Sequence, residues 1–161
     1  MKLGVRIASM AAVVLLPFAI FLIGMRRKWP PVVDAVRRLN KQVLNPIQMR
    51  SAGTPGAYAA IIHHTGRNSG RAYETPVGPI RADDEFLIGL PYGTRPDWVK
   101  NVLAAGHAVI DHEGERHRVI DPEIVPMSEV VEAFPTSDRR GQQVFAVDQC
   151  LRMSIAPDSY A

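Results

Sequence analysis

The residues best suited to chemistry form one short polar loop, residues 65–71, with the sequence TGRNSGR. Its two glycines let the backbone turn several amide groups toward one point. Its threonine and serine add hydroxyl groups, and its two arginines add guanidinium groups. Amides clustered with arginine form an anion site suited to a phosphate. The spacing equally fits a basic, solvated hairpin turn, because the loop matches neither a Walker loop nor a dinucleotide fingerprint.

This loop and a later segment together resemble one enzyme family. The loop, followed by Thr75 and Pro76, resembles the signature of the deazaflavin-dependent nitroreductase family. The run DWVKNVL at residues 97–103 resembles that family's second characteristic segment, which places a tryptophan and an asparagine on a helix. The resemblance extends over roughly residues 57–126. Either segment alone is a weak signal, whereas both in this order are fairly specific.

Membership of this family implies a split β-barrel related to the flavin-binding oxidoreductases. It also implies binding of the 8-hydroxy-5-deazaflavin coenzyme F420, which carries a phosphate and a polyglutamate tail. Members include quinone and nitroaromatic reductases, and some have membrane-associated amino termini. The resemblance therefore predicts an enzyme that transfers hydride from the reduced coenzyme to a quinone, a nitroaromatic compound or a similar electrophile.

Carried over to this chain, the resemblance assigns coenzyme contacts to four groups of residues. The loop binds the phosphate and the acidic tail, and the Thr-Pro pair lies along the edge of the coenzyme. The end of the third predicted strand approaches the ring, and the helix closes the site. The assigned residues are Arg67, Asn68, Ser69, Gly70, Arg71, Thr75, Pro76, Pro91, Tyr92, Gly93, Trp98, Lys100 and Asn101.

One departure from the family pattern lies after the third predicted strand. Pro91, Tyr92 and Gly93 stand where the family has a serine-lysine or similar pair, which removes a cation from the phosphate site. Lys100 is a candidate replacement for that cation. Tyr92 is the catalytic candidate, because it is the nearest group that could donate a hydrogen bond as negative charge develops on the acceptor. The alternative for Tyr92 is a strand-end aromatic residue that covers the mouth of the barrel.

Two other functions fit the same residues. The first keeps the barrel and changes the ligand, giving a protein that binds flavin mononucleotide (FMN) or haem. The second is a membrane-anchored protein that stores or shields the coenzyme, or a fatty acid, without turnover. Binding without catalysed oxidation of the reduced coenzyme would favour the second.

The elements that must position these residues are mainly short strands. Alternating or apolar runs predict five strands, and two helices are predicted with them, the first capped by Asp97 and ended by Gly106. This pattern indicates an α+β, mainly β fold, a split β-barrel with helices packed outside. The predicted strands are residues 58–64, 72–77, 85–90, 108–111 and 116–120, the predicted helices are 97–105 and 128–134, and the last dozen residues are predicted to be loosely ordered.

The amino terminus predicts a membrane helix. Nineteen uncharged residues, 7–25, would span about 28 Å as a helix, close to the thickness of the bilayer hydrocarbon. A run of basic residues follows where a signal peptide would need small ones, so an anchor is favoured over a cleaved signal. The excess of positive charge after the segment predicts a cell-membrane protein whose main domain faces the cytoplasm.

A basic amphipathic helix is predicted next, over residues 31–45, ended by Asn45 and Pro46. Its apolar side could pack on the domain while its basic side faces lipid headgroups. The chain therefore divides into an anchor (1–28), a juxtamembrane helix (29–50) and a barrel domain (51–161). Split barrels of this kind often dimerise, but the sequence shows no interface, so a homodimer stays an open expectation.

Composition restricts the remaining functions. The net charge of +3 favours anionic lipid or a phosphorylated ligand. The basic residues cluster beside the apolar segment rather than among aromatic residues, which argues against nucleic acid. Cys150 is the only cysteine and fits a small buried hydrophobe. No histidine spacing matches a zinc site, so no metal is expected. Surface or cross-strand positions are predicted for all five histidines, His63, His64, His107, His112 and His117.

Overall fold

The structure, a computed structural model, describes residues 16–157. Its centre is one seven-stranded antiparallel sheet in the order β2-β1-β5-β6-β7-β4-β3. The strands are β1 (Ala60–Thr65), β2 (Ala72–Val77), β3 (Pro79–Ala82), β4 (Glu85–Gly89), β5 (His107–His112), β6 (Glu115–Pro126) and β7 (Gln149–Ile155). The helices are α1 (16–26), α2 (Pro30–Leu39), α3 (Asn45–Gln48), α4 (Asp97–Ala105), α5 (Met127–Val130) and α6 (Thr136–Val144), with a π-helical turn at Asn40–Leu44 and a 3-10 turn at Val131–Ala133.

The chain connection between the two edge strands shows that this sheet curls. β2 and β3 lie at opposite edges of the sheet, yet only Gly78 separates them in sequence. In a flat sheet the two edges would lie about 29 Å apart, since strands are spaced by about 4.8 Å. One residue spans only a few ångströms, so the sheet must bend until its edges approach each other. This arrangement, with helices outside, fits the expected split barrel and confirms the α+β, mainly β class.

Alternation along the strands divides the apolar residues between two faces. On β4, Phe86 and Ile88 join the larger core, which also contains Ile62, whereas Leu87 joins a smaller cluster with Cys150 on the other face. Burial raises the pKa of the Cys150 thiol to about 12, so this cysteine is the inert buried residue that was predicted.

The carboxy-terminal region differs from expectation. The predicted loose order of the last dozen residues is wrong for residues 150–155, because β7 lies between β6 and β4 and Leu151 and Met153 on it are fully buried. The last four residues, 158–161, lie outside the described residues. β3 and α6 were also missed, so the third predicted strand is β4. Pro79 begins β3, and Gly141 lies within α6. Proline is unfavourable within a strand and glycine within a helix, so the sequence around these two residues did not predict regular structure. Tertiary packing stabilises both elements despite these preferences.

The predicted end of the juxtamembrane helix at Asn45 and Pro46 is wrong. The helical path continues from α2 through the π-turn into α3, with Pro46 in the first turn of α3. In the π-turn the amide of Asn45 bonds to the carbonyl of Asn40, five residues back. This change of register places the proline, which has no amide hydrogen, at a new helix start, where none is required.

The helix α4 and the β5–β6 hairpin follow the sequence closely. Gly106 ends α4 with a φ of 73°, and Glu113 and Gly114 form the hairpin turn with φ values of 53° and 83°. Both positive angles match the turn type that suits the twist of a hairpin. The predicted capping role of Asp97 is wrong, since Pro96 precedes the helix and no side chain caps it. Asp97 is instead the first helical residue.

The predicted membrane anchor lies partly outside the described residues, which begin at residue 16. Across residues 16–157 the structure contains no helix that is both long enough and apolar enough to cross a bilayer. The end of α1 contacts the domain. Phe21 packs edge-to-face on Phe145 with ring centroids 6.0 Å apart, and Arg26 Nη1 donates to the carbonyl of Gln143 at 2.7 Å. Lys28 Nζ donates to the carbonyl of Ala146 at 3.0 Å.

Two histidines take the cross-strand positions that the sequence allowed, and neither lies at the surface. His64 is paired with Tyr73 and His117 with Ile110, and both are buried, with 8% and 2% exposure. Both ring nitrogens of His117 lack a hydrogen-bond partner among the described residues, and the Glu115 carboxylate lies 3.5 Å from its Nε2. Within residues 16–157, no group of three or more His, Cys, Asp or Glu side chains is placed to hold a metal ion.

We expect the protein to lose stability as the pH falls from about 6.5 toward 5. Burial lowers the pKa of His64, His112 and His117, so the unfolded chain binds protons before the folded protein does. The stability is therefore complete above the unfolded pKa of about 6.5 and declines as the pH falls through it. Asp111, whose pKa the hydrogen bond from Arg116 lowers to about 2, contributes a loss only below about pH 4.

Urea midpoints at pH 7.5, 6.0 and 5.0 measure this decline. His117→Leu should reduce the pH-dependent part, because it removes the most buried ionisable ring. His107→Leu, which replaces an exposed histidine, is the matched control and should leave the pH dependence unchanged. Equal midpoints at the three pH values would contradict the assignment.

Candidate active site

A cavity of about 820 Å³ lies between the helical segment α2–α3 and the β1–β2 end of the sheet. This volume is within the usual range for sites that bind small molecules and cofactors. The predicted site residues that line it are Arg67, Asn68, Ser69, Thr75, Pro76, Tyr92, Trp98 and Asn101. Gly70, Arg71, Pro91, Gly93 and Lys100 do not line it.

The loop between β1 and β2 forms one rim of the cavity. Its ends are tied by bonds from the amide of Gly66 to the carbonyl of Arg71 and from the amide of Gly70 to the carbonyl of Gly66, both 2.8 Å. A Cβ at Gly66 would lie 2.5 Å from Ser69 Oγ and 2.7 Å from the Tyr73 ring, so a larger residue there would have to displace both side chains. Asn68 and Ser69 are exposed and line the cavity. Their backbone amides can therefore donate to an anion beside Arg67.

Arg67 is held in place by the helix α4. Its backbone amide and its Nη1 both donate to Oδ1 of Asn101, at 3.2 and 2.9 Å, and its Nη2 donates to Asp97 at 3.1 Å. These bonds link the two segments that resemble the family signature. They use only part of the donor capacity of the guanidinium group, so the remainder can meet an anion.

Two further cations come from the helical wall. Arg37 on α2 and Lys41 on the π-turn line the cavity, although the sequence predicted their side of the helix to face lipid headgroups. Lys100, the candidate substitute for the missing family lysine, is exposed on α4. Arg37 also forms an ion pair with Asp34 at 3.3 Å. The helical segment therefore brings positive charge to the cavity, part of which Asp34 already neutralises. The basic stripe was visible in the sequence, but the tertiary position of its helix was not.

Tyr92 closes the cavity against the same helix. Asn40 Nδ2 donates a hydrogen bond to the Tyr92 hydroxyl oxygen. Burial raises the pKa of Tyr92, while the bond from Asn40 and the nearby Arg37 act in the opposite direction. The phenol therefore stays protonated at neutral pH, and its hydrogen is available to an acceptor in the cavity.

His64 lines the cavity, although the sequence did not select it as a candidate site residue. Its ring stacks on Tyr73 with centroids 5.8 Å apart and hydrogen-bonds with Asn101 and Thr75 at 3.1 Å each. His63 points to the other face and bonds to Asp111 at 2.8 Å. The alternation of β1, which buries Ala60 and Ile62, carries the signal, because it places His64 on the same inward face.

The flat side chains around the cavity suit an aromatic ring. Tyr73, Tyr92 and Trp98 line it, and the basic loop and helix stand at its rim. Aromatic faces beside an anion site are the chemistry that a phosphorylated, tricyclic coenzyme requires. The residues present therefore fit a deazaflavin.

A family model described as "F420H(2)-dependent quinone reductase" matches residues 32–132, more than half of the chain. The chain belongs to this family. The reductase is therefore an oxidoreductase that depends on the deazaflavin coenzyme. The match includes α2 and α3, so it extends the resemblance seen in the sequence to the helical wall of the cavity.

Comparisons of the reductase with solved structures gave distant similarities. An F420-H2 dependent reductase (FDR-A) is 15% identical, with 60% of this chain and 94% of that chain covered and a TM-score of 0.42. An F420 reductase is 10% identical, with 66% and 91% covered and a TM-score of 0.46. An FMN-binding protein from Syntrophomonas wolfei is 13% identical, with 78% and 93% covered and a TM-score of 0.41. No protein of curated function matches the reductase.

Proposed function

We propose that the reductase transfers hydride from the reduced deazaflavin coenzyme to a quinone, or to a nitroaromatic compound of similar shape, in the 820 Å³ cavity. The observation that carries this proposal is the convergence of an anion-binding loop, cations from a helix and flat aromatic side chains on one cavity. The family of the chain supports the coenzyme and a quinone as its acceptor.

The residues divide into two binding regions. Arg67 and the backbone amides of Asn68 and Ser69 would bind the phosphate, and Arg37 and Lys41 would meet the acidic tail. Tyr73, Tyr92 and Trp98 would hold the flat ring. The bound reduced coenzyme supplies the hydride, and the protein orients it toward the acceptor.

In this proposal Tyr92 donates a hydrogen bond to the acceptor. Hydride transfer to a quinone leaves negative charge on a quinone oxygen, which one proton then neutralises to give the hydroquinone. Because Asn40 donates to the oxygen of Tyr92, the phenol hydrogen is directed away from Asn40. It can stabilise the developing charge as a preorganised donor.

The direct test is a titration of the full-length protein in detergent, separately with the oxidised deazaflavin coenzyme and with FMN. Quenching of ligand fluorescence reports binding in both cases. Tight binding of the deazaflavin, together with oxidation of its reduced form when a quinone is added, is the expected result. Binding of FMN alone would favour a flavin protein. Binding of the deazaflavin without quinone-dependent oxidation would favour a storage protein.

We also propose that α1 contacts a membrane surface, with the catalytic domain on the cytoplasmic side. Four large apolar side chains on this helix, Leu16, Phe18, Ile20 and Ile23, are between 47% and 64% exposed. A cluster of exposed apolar side chains on one element marks an interaction surface. The basic residues Arg26 and Arg27 that follow suit anionic lipid, although Arg26 is already bonded to α6.

Co-sedimentation of the full chain with vesicles of phosphatidylcholine and phosphatidylglycerol tests this contact. We expect binding that persists in 1 M salt, because salt screens charge contacts but not apolar burial. Phe18→Ser with Ile23→Ser should lower the bound fraction, whereas Val144→Ser, at an exposed apolar position on α6, should not. A chain that stays in the supernatant would contradict the proposal.

A further inference from the structure

Hydrogen bonds link Arg67, Asn101, His64 and Thr75 in a chain, and the donor and acceptor of each bond can be assigned. Oδ1 of Asn101 accepts two bonds from Arg67, one from its backbone amide and one from its Nη1. The amide nitrogen of Asn101 is therefore the atom that faces Nδ1 of His64, at 3.1 Å. An amide nitrogen only donates, so Nδ1 of His64 must accept and carries no proton.

The protonation of His64 also fixes the donor in its bond with Thr75. With Nδ1 unprotonated, the proton of the neutral imidazole lies on Nε2, which donates to Thr75 Oγ1 at 3.1 Å. His64 and Asn101 are 8% and 5% exposed, so water does not compete for these bonds. Burial also lowers the pKa of His64, which favours the neutral ring. The Thr75 oxygen already accepts this bond, which leaves its own hydrogen to donate elsewhere.

The Thr75 side chain lines the cavity. We propose that Thr75, held by the neutral ring of His64, donates a hydrogen bond to a carbonyl oxygen of the flat ring that occupies the cavity. His64 is a positioning residue in this arrangement, and Asn101 couples it to Arg67 in the anion-binding loop. Binding of the phosphate and orientation of the ring therefore depend on the same chain of bonds.

The inference rests on the proposed function, since the carbonyl oxygen belongs either to the deazaflavin ring or to the quinone acceptor. Thr75→Val removes the hydroxyl with little change of shape, and Thr75→Ser restores it. A neutral hydrogen bond contributes about 1 to 1.5 kcal/mol, so we expect Thr75→Val to weaken one interaction about 5- to 10-fold and Thr75→Ser to stay within about twofold of wild type. A raised Kd for the oxidised coenzyme would assign the carbonyl to the coenzyme. A raised KM for 2-methyl-1,4-naphthoquinone alone would assign it to the acceptor.

The state of His64 is measured independently by nitrogen-15 NMR of the ligand-free protein at pH 8. The expected spectrum shows an unprotonated Nδ1 and a protonated Nε2. The opposite tautomer would overturn the inference whatever the enzyme does. Equal Kd and KM for wild type and Thr75→Val would overturn it while leaving the proposed function intact. A wild-type protein that binds neither compound would overturn both.

Discussion

Arg67→Ala is expected to weaken binding of the deazaflavin coenzyme roughly 10- to 100-fold while leaving the protein folded. A hydrogen bond to a charged group contributes about 1.5 to 3 kcal/mol, and each 1.4 kcal/mol is a tenfold change in affinity. The side chain is 30% exposed and its ion pair joins a largely exposed Asp97, so its loss costs little stability. Fluorescence titration and a urea midpoint measure the two effects separately.

Two matched variants sharpen this result. Arg67→Lys keeps the charge but loses the planar fork, so it should give an intermediate affinity. Arg140→Ala removes an exposed arginine on α6, outside the cavity, and should bind the coenzyme as wild type does. An unchanged affinity of Arg67→Ala would show that the loop does not bind the phosphate. A collapse of the urea midpoint would show instead that Arg67 supports the fold through Asn101.

The parts of the site that the sequence predicted are those defined by local chemistry. The glycines of the loop at residues 65–71 predict its turn. The bounds of β2 and α4 are those that their sequence patterns predicted. The bond between Arg67 and Asn101 then explains why the two resembling segments occur together. Each of these features is set either by residues within the same turn or helix or by a motif that the family resemblance supplied.

The parts that the sequence did not predict depend on contacts between distant residues. The apolar face of α2 fits a membrane surface as well as a barrel wall, and only its packing shows that Arg37 and Lys41 line the cavity. β7 ends the described chain, yet its position between β6 and β4 makes it central. His64 looked like one of two adjacent histidines. Its hydrogen-bond partners Thr75 and Asn101 lie 11 and 37 residues away in the sequence. A local sequence pattern could not predict these partners.

Tyr92→Phe is expected to lower turnover with a quinone about 10- to 100-fold while changing the Kd of the coenzyme less than about threefold. A preorganised donor at a developing oxyanion contributes about 10²- to 10³-fold. Tyr92 is only partly buried, so water can replace part of the donor and reduce that benefit. Phenylalanine keeps the aromatic surface, so the ring contact survives. Because burial raises the pKa of Tyr92, its ionisation should not limit the rate below about pH 10.

The comparison of Tyr92→Phe with Asn40→Ala separates donation from positioning. Asn40→Ala keeps the phenol but removes the bond that directs it. If Tyr92 donates to the acceptor, Asn40→Ala should lose part of the turnover and Tyr92→Phe should lose more. The double variant should have the turnover of Tyr92→Phe alone, because both changes act through one hydroxyl. Tyr58→Phe makes the same change at an exposed tyrosine outside the cavity and should leave turnover unchanged. Full turnover of Tyr92→Phe would show that Tyr92 only lines the cavity. Thr75 would then be the remaining candidate donor to the acceptor oxygen.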